Sequence, residues 1–136
     1  MKTSPTRVYT WIASIGLLLQ GGSTLAALLI PAVDRALPGL LQETQMVVSH
    51  SILHLATGLA GLATLRFGGQ RGAWWFALGF GSFYVALAVA GGFSGQPLGL
   101  GLKAFDHPFH AALGAAGLLA AAIETLWTRK GRRSHA

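Results

Sequence analysis

Four of the five histidines and one of the four acidic residues fall in two short segments. One runs His50-x-x-x-His54; the other runs Asp106-x-x-x-His110, with His107 one position off. On a helix, residues four apart lie one turn above each other on the same side. Each segment therefore offers two ligand-type side chains on one face. Imidazole and carboxylate donors suit zinc, copper, nickel or iron, which makes His50, His54, Asp106 and His110 candidate metal ligands, with His107 beside them. His54 and His110 could instead be axial ligands of a haem b held between two helices. Proton, quinone or small-ligand binding is a further reading. A plainer one is structural: histidines bond across membrane helices for about 1–2 kcal/mol or less, and Asp106 can cap the start of its helix. The chain has no cysteine, so thiolate metal sites, disulfides and cysteine nucleophiles are excluded. It has no Gly-x-Ser-x-Gly elbow, no phosphate-binding loop and no His-Glu-x-x-His pair, and the run Gly99 to Lys103 lacks the spacing and hydroxyl of a phosphate loop.

The elements that carry these histidines repeat. Aligned on His54 and His110, both segments read His-x-x-x-Gly-x-x-Gly-Leu, and Asp106 falls opposite His50. Gly58 and Gly61 follow His54 on its face; Gly114 and Gly117 follow His110. Glycine lets helix backbones approach closely, which matters where lipid gives no hydrophobic drive. The two glycine stripes are expected to meet each other, so that the histidines converge inside the bundle and away from lipid. The run FALGFGSFYVALAVAGGF loosely echoes the earlier IASIGLLLQGGSTLA. The pattern predicts two helical hairpins in tandem, both running the same way, a parallel pseudo-repeat.

Beyond the motifs, the whole chain is apolar. Of its 136 residues 52% are hydrophobic and 10% are charged, against roughly 25% charged in a soluble domain. Apolar spans are expected at about 8–30, 46–65, 73–93 and 106–127, each long enough for a hydrocarbon core about 30 Å thick. Pro31 closes the first, and Trp74-Trp75 opens the third where an interface would lie. The fold class is thus an all-α integral membrane four-helix bundle, a single domain within the lipid bilayer, followed by a basic tail at 128–136. The first run, with Lys2 and Arg7 ahead of it and small residues near Ala26, also has the look of a secretory signal. Its length and its echo in the third run favour a retained span.

The net charge of +6 does not point to nucleic acid, because the basic residues cluster at the ends of apolar runs. Lys2 and Arg7 precede span one, Arg66 and Arg71 join spans two and three, and Arg129, Lys130, Arg132 and Arg133 follow span four. Basic residues stay cytoplasmic on insertion, so both termini are expected inside the cytoplasmic (inner) membrane, with segments 31–45 and 94–105 outside. The segment from Pro31 to Thr44 is expected along the outer interface. Glu124 lies on the stripe of Gly117 at the inner end and is expected to pair with Arg66 or Arg71.

The two-hairpin layout and the repeated HLATGLAGL and HAALGAAGL are similar to domain-of-unknown-function family 4383, bacterial four-helix membrane proteins. In that group a histidine opens each even-numbered span and a small-residue stripe follows. Here the matching positions are His54 with Gly58 and Gly61, and His110 with Gly114 and Gly117. A polar amide or acid often stands four residues before the second histidine, as Asp106 does. The resemblance covers roughly residues 10–127 and does not extend to His50 or His107. It implies a four-helix membrane fold and brings no activity with it. Three functions are compatible with these residues: a non-enzymatic membrane protein, such as an accessory subunit of a membrane complex or a homo-oligomer; a transition-metal or haem b protein with its site at the outer ends of spans two and four; or a small transporter or channel subunit. The third has least support, since few charges lie within the spans and no helix is broken.

Overall fold

A computed structural model describes residues 4–40, 46–94 and 97–133. Five helices are defined among the described residues, in order: α1 (Pro5–Leu29), α2 (Pro31–Ala36), α3 (Val48–Phe67), α4 (Gly69–Ser94) and α5 (Asp106–Arg133), with a 3-10 turn at Pro97–Gly99 before α5. All but the short α2 are long and apolar enough to cross a membrane, with mean hydropathy of 1.3 to 1.7 over their best windows. Twenty to 25 residues at 1.5 Å each give about 30–38 Å, the thickness of a bilayer core. The described part of the connection 31–45 carries the exposed helix α2, and residues 41–45 of that connection lie outside the described residues.

The bundle turns polar side chains inward, among a core of small, aliphatic and aromatic residues, and exposes many large apolar ones. Thr6, Thr10, Ser14, Thr24, His50, Ser51, His54, Asp106, His110 and Glu124 are buried, whereas Trp11, Ile12, Leu19, Leu59, Val89 and Leu119 are exposed. In water this arrangement would leave large apolar faces wet. In lipid it places apolar side chains against hydrocarbon and turns polar ones towards each other.

Helix ends follow local chemistry. The Ser4 hydroxyl accepts the backbone N–H of Arg7 at 3.3 Å, and Pro5 opens α1, so this helix starts three residues before the apolar run does. Ile30 lies between α1 and α2, and Pro31 begins the second of these rather than merely ending the first. Gly68 alone separates α3 from α4, and Gly69 turns the chain at φ +56°. The last helix continues past Trp127 to Arg133, so most of the basic tail is helical.

The most extensive packing is between consecutive spans, α1 with α3 and α4 with α5. This overturns the expected meeting of the two glycine stripes. A Cβ at Gly114 would lie 2.7 Å from the Gly81 carbonyl oxygen of α4, and a Cβ at Gly81 would lie 2.8 Å from the Gly114 carbonyl oxygen. At Gly117 a Cβ would meet the Ala77 carbonyl at 2.8 Å and the Tyr9 hydroxyl at 2.7 Å. Gly58 packs on Ser14 and Leu18 of α1, and Gly61 on the Ser14 side chain and Phe76. Each stripe therefore packs mainly on the preceding span of its own hairpin, with Gly61 and Gly117 also meeting an aromatic ring, Phe76 and Tyr9, of the other hairpin. The small partners that admit it, Ser14 and Gly81, sit in the preceding span, and α3 and α5 stand across the bundle from each other with little direct contact. Ala13, Leu17, Phe80 and Tyr84 fill the middle, with Tyr9, Phe76 and Leu113 packed around them. With Ala13 and Leu17 in that core, α1 is an integral part of the bundle.

A methyl group at Gly114 would press directly on the backbone of α4. Gly114→Ala is expected to cost about 1–3 kcal/mol through overpacking. Gly79, where a Cβ would meet nothing within 4 Å, should tolerate the same change or gain from it. Thermal unfolding in detergent, followed by loss of helical circular dichroism, compares the two; equal melting temperatures would remove the backbone contact from the account.

Candidate metal centre

The first turns of α3 and α5 form one end of the bundle. On α3 the inward face is His50, Ser51, His54, Gly58 and Gly61. On α5 it is Asp106, His110, Gly114, Gly117 and, further along, Glu124. Because α3 and α5 make little direct contact, the space between them is filled by long side chains. His50, His54 and His110 are each only 1% exposed. Their ring centroids are 4.5 Å apart for His50–His54, 5.6 Å for His50–His110 and 6.3 Å for His54–His110. One nitrogen from each ring can be chosen so that all three lie within 4.8 Å of one another.

Tyr84 of α4 forms the floor. It is fully buried, meets the His110 ring edge-on at 4.8 Å and lies nearly parallel to His54 at 6.4 Å. None of the six ring nitrogens of the three histidines has a hydrogen-bond partner, and the Ser51 hydroxyl has none either. The Tyr84 hydroxyl interacts with Thr57, but without the geometry of a hydrogen bond. A neutral imidazole carries one donor and one acceptor. Leaving such a group buried and unpaired costs about 1–3 kcal/mol, so a cluster of this kind calls for an ion or water to meet it.

Two of the residues expected in the cluster are placed otherwise. The Asp106 carboxylate accepts the backbone N–H of Lys103 at 2.7 Å, closing the turn that leads into α5, and does not join the three histidines as a ligand. His107 packs its ring on Gly91 of α4, where a Cβ would overlap it, and its Nδ1 is buried without a partner. Above the cluster the chain folds back on itself. Leu98, Gly99 and Gly101 take positive φ of 58°, 64° and 63°. These turns bring Leu100 and Leu102 down into a buried apolar group with Leu87, against Leu53.

The opposite end holds Glu124, 5% exposed. Its carboxylate accepts the Ser4 hydroxyl at 2.7 Å, the Thr6 backbone N–H and hydroxyl at 3.3 Å each, and the Gln70 side-chain amide. The expected pairing with Arg66 or Arg71 is not found among the described residues. Arg66 lies over the Phe67 ring at 5.3 Å, and α5 turns Glu124 inward to where α1 begins. Sequence reading missed Tyr84, which looks like one more aromatic in an apolar run. It also missed Thr6, Thr10 and Ser14, although their four-residue spacing is a legible polar stripe on span one.

Glu124→Ala would leave the donors of Ser4, Thr6 and Gln70 without their acceptor. It is expected to destabilise the bundle by about 2–4 kcal/mol, while Arg66→Gln should stay within about 0.5 kcal/mol. Denaturation in detergent measures both, and a larger loss for the arginine variant would restore the ion-pair account.

No protein-family model matches the chain, and no similar protein is found among the curated proteins or the solved structures.

Proposed function

We propose that this is a multi-pass protein of the cytoplasmic membrane that binds one transition-metal ion on His50, His54 and His110, in a non-enzymatic role. One observation carries it: three fully buried histidines have six unpartnered ring nitrogens, with one from each ring gathered within 4.8 Å. An ion at their centre would satisfy one nitrogen of each ring. Three-histidine donor sets bind zinc and copper, and imidazole also suits iron and nickel. The tandem repeat supports the same reading, since His54 and His110 occupy equivalent positions of its two halves and His50 adds the third donor. A haem b fits poorly. The space between His54 and His110 is flanked by the rings of His50, 4.5 Å from His54, and Tyr84, 4.8 Å from His110, and a flat macrocycle has no slot there.

The orientation proposed puts the metal at the outer face. Arg7, Arg66, Arg71, Arg129 and Lys130 all belong to the Glu124 end, whereas Arg35 and Lys103 at the histidine end are offset by Asp34 and Asp106. Reporter fusions at Ser4 and Ser134 should both read cytoplasmic and one at Gly99 external. The opposite pattern at Gly99 would turn the site to the inside.

Elemental analysis of the protein, purified in mild detergent with a histidine-free affinity tag, is expected to find one transition-metal ion per chain. His54→Ala and His110→Ala should each abolish it, and His107→Ala should retain it. A chelator that strips the ion should lower the melting temperature of the parent protein and leave that of His54→Ala unchanged. A parent protein that folds, carries no metal and takes none up would mean that the cluster is a water-filled structural network.

A further inference from the structure

Resting on that metal-binding reading, we infer that the ion selected is copper(I) and not a divalent cation. The first reason is charge. All three donors are neutral imidazoles, the chain has no cysteine to supply a thiolate, and the nearest acid in the motif, Asp106, already holds the Lys103 N–H at 2.7 Å. The cost of moving an ion out of water rises with the square of its charge, so a divalent ion costs about fourfold more than a monovalent one of similar size. Among the described residues, the one carboxylate beside the histidines, Asp106, can balance a single positive charge and not two, so at 1% exposure a monovalent ion is matched and a divalent one is not.

The second reason is ligand number. Zinc held by three histidines completes a tetrahedron with water or another ligand. Here the fully buried Tyr84 ring packs against His110 at 4.8 Å and His54 at 6.4 Å, and the three histidines are each 1% exposed. Copper(I) has a filled d shell and accepts three donors in a plane without a fourth. Metal–nitrogen bonds of about 2.0 Å around a trigonal ion set the nitrogens about 3.5 Å apart, so donors within 4.8 Å need only small side-chain rotations to close on it.

The third reason is a soft donor at the same end. Met46 is 4% exposed, four residues before His50, and the Thr24 hydroxyl meets its sulfur at 3.9 Å. Thr24 is three residues beyond Gly21, whose backbone packs against His54. Thioethers favour copper(I) over zinc.

Anaerobic competition separates the possibilities. The detergent-purified apoprotein is titrated with copper(I), generated with ascorbate, against a chromophoric copper(I) chelator. A parallel titration uses zinc(II) against a chromophoric zinc dye. One copper(I) per chain is expected, bound at least about 100-fold more tightly than zinc(II). His54→Gln and His110→Gln, near-isosteric and checked for native helicity, should lose it. Zinc(II) bound as tightly as copper(I), or more so, overturns the copper inference and leaves the metal site standing. Neither ion bound by the folded parent overturns both. Copper(I) bound equally by the parent and the glutamine variants places it elsewhere and also overturns the inference.

Discussion

At Gly81 and Gly114 the backbones of α4 and α5 come so close that a single methyl group on either would collide with the other's carbonyl oxygen. In a lipid-like surround, where the hydrophobic effect does not press helices together, contacts of this kind supply the association. The remaining architecture follows from them. Gly58 and Gly61 bring α3 onto Ser14 of α1, and Gly114 and Gly117 bring α5 onto Gly81 and Ala77 of α4. Two tightly paired hairpins then face each other with α3 and α5 on opposite corners. The hairpins touch through α1 and α4, while α3 and α5 stay apart, and the histidines and Tyr84 pack together between them. The separation of α3 and α5 is thus the condition for the cluster.

The same geometry explains what could be read from the chain and what could not. Periodicity alone identified the inward faces of α3 and α5, because i, i+4 and i+7 spacing is a geometric property of any helix. The convergence of His54 and His110 was expected from a meeting of the two glycine stripes, and the rings come together without that meeting, 6.3 Å apart. Periodicity says nothing about which helix the face meets. That choice rests on Ser14 and Gly81, which in their own spans read as ordinary small residues. Glu124 misled for a related reason. Opposite charges on nearby segments suggest an ion pair, yet the carboxylate is buried deeply enough that hydroxyls and amides of Ser4, Thr6 and Gln70 reach it first. Asp106 was legible both as a ligand and as a cap of its own helix; its carboxylate accepts instead the N–H of Lys103 in the turn that precedes α5.

The interior is ordered in layers along the bundle. The histidines occupy one end, the Leu17–Phe80–Tyr84 group the middle, and Glu124 with its donors the other end. His110 and Glu124 are fourteen residues apart on one helix, about 21 Å. Hydroxyls of α1 line part of this distance, but they point to local acceptors or to none. Thr10 donates to the Ala73 carbonyl at 3.4 Å, and Ser14 makes no hydrogen bond.

That middle layer has a consequence for the polar groups on either side of it. The stacked rings of Phe76, Phe80 and Tyr84, at 5.1 and 4.1 Å, run along α4 between the histidine end and the carboxylate end. The polar groups are thereby held apart at the two ends of the bundle, with aromatic surface between them.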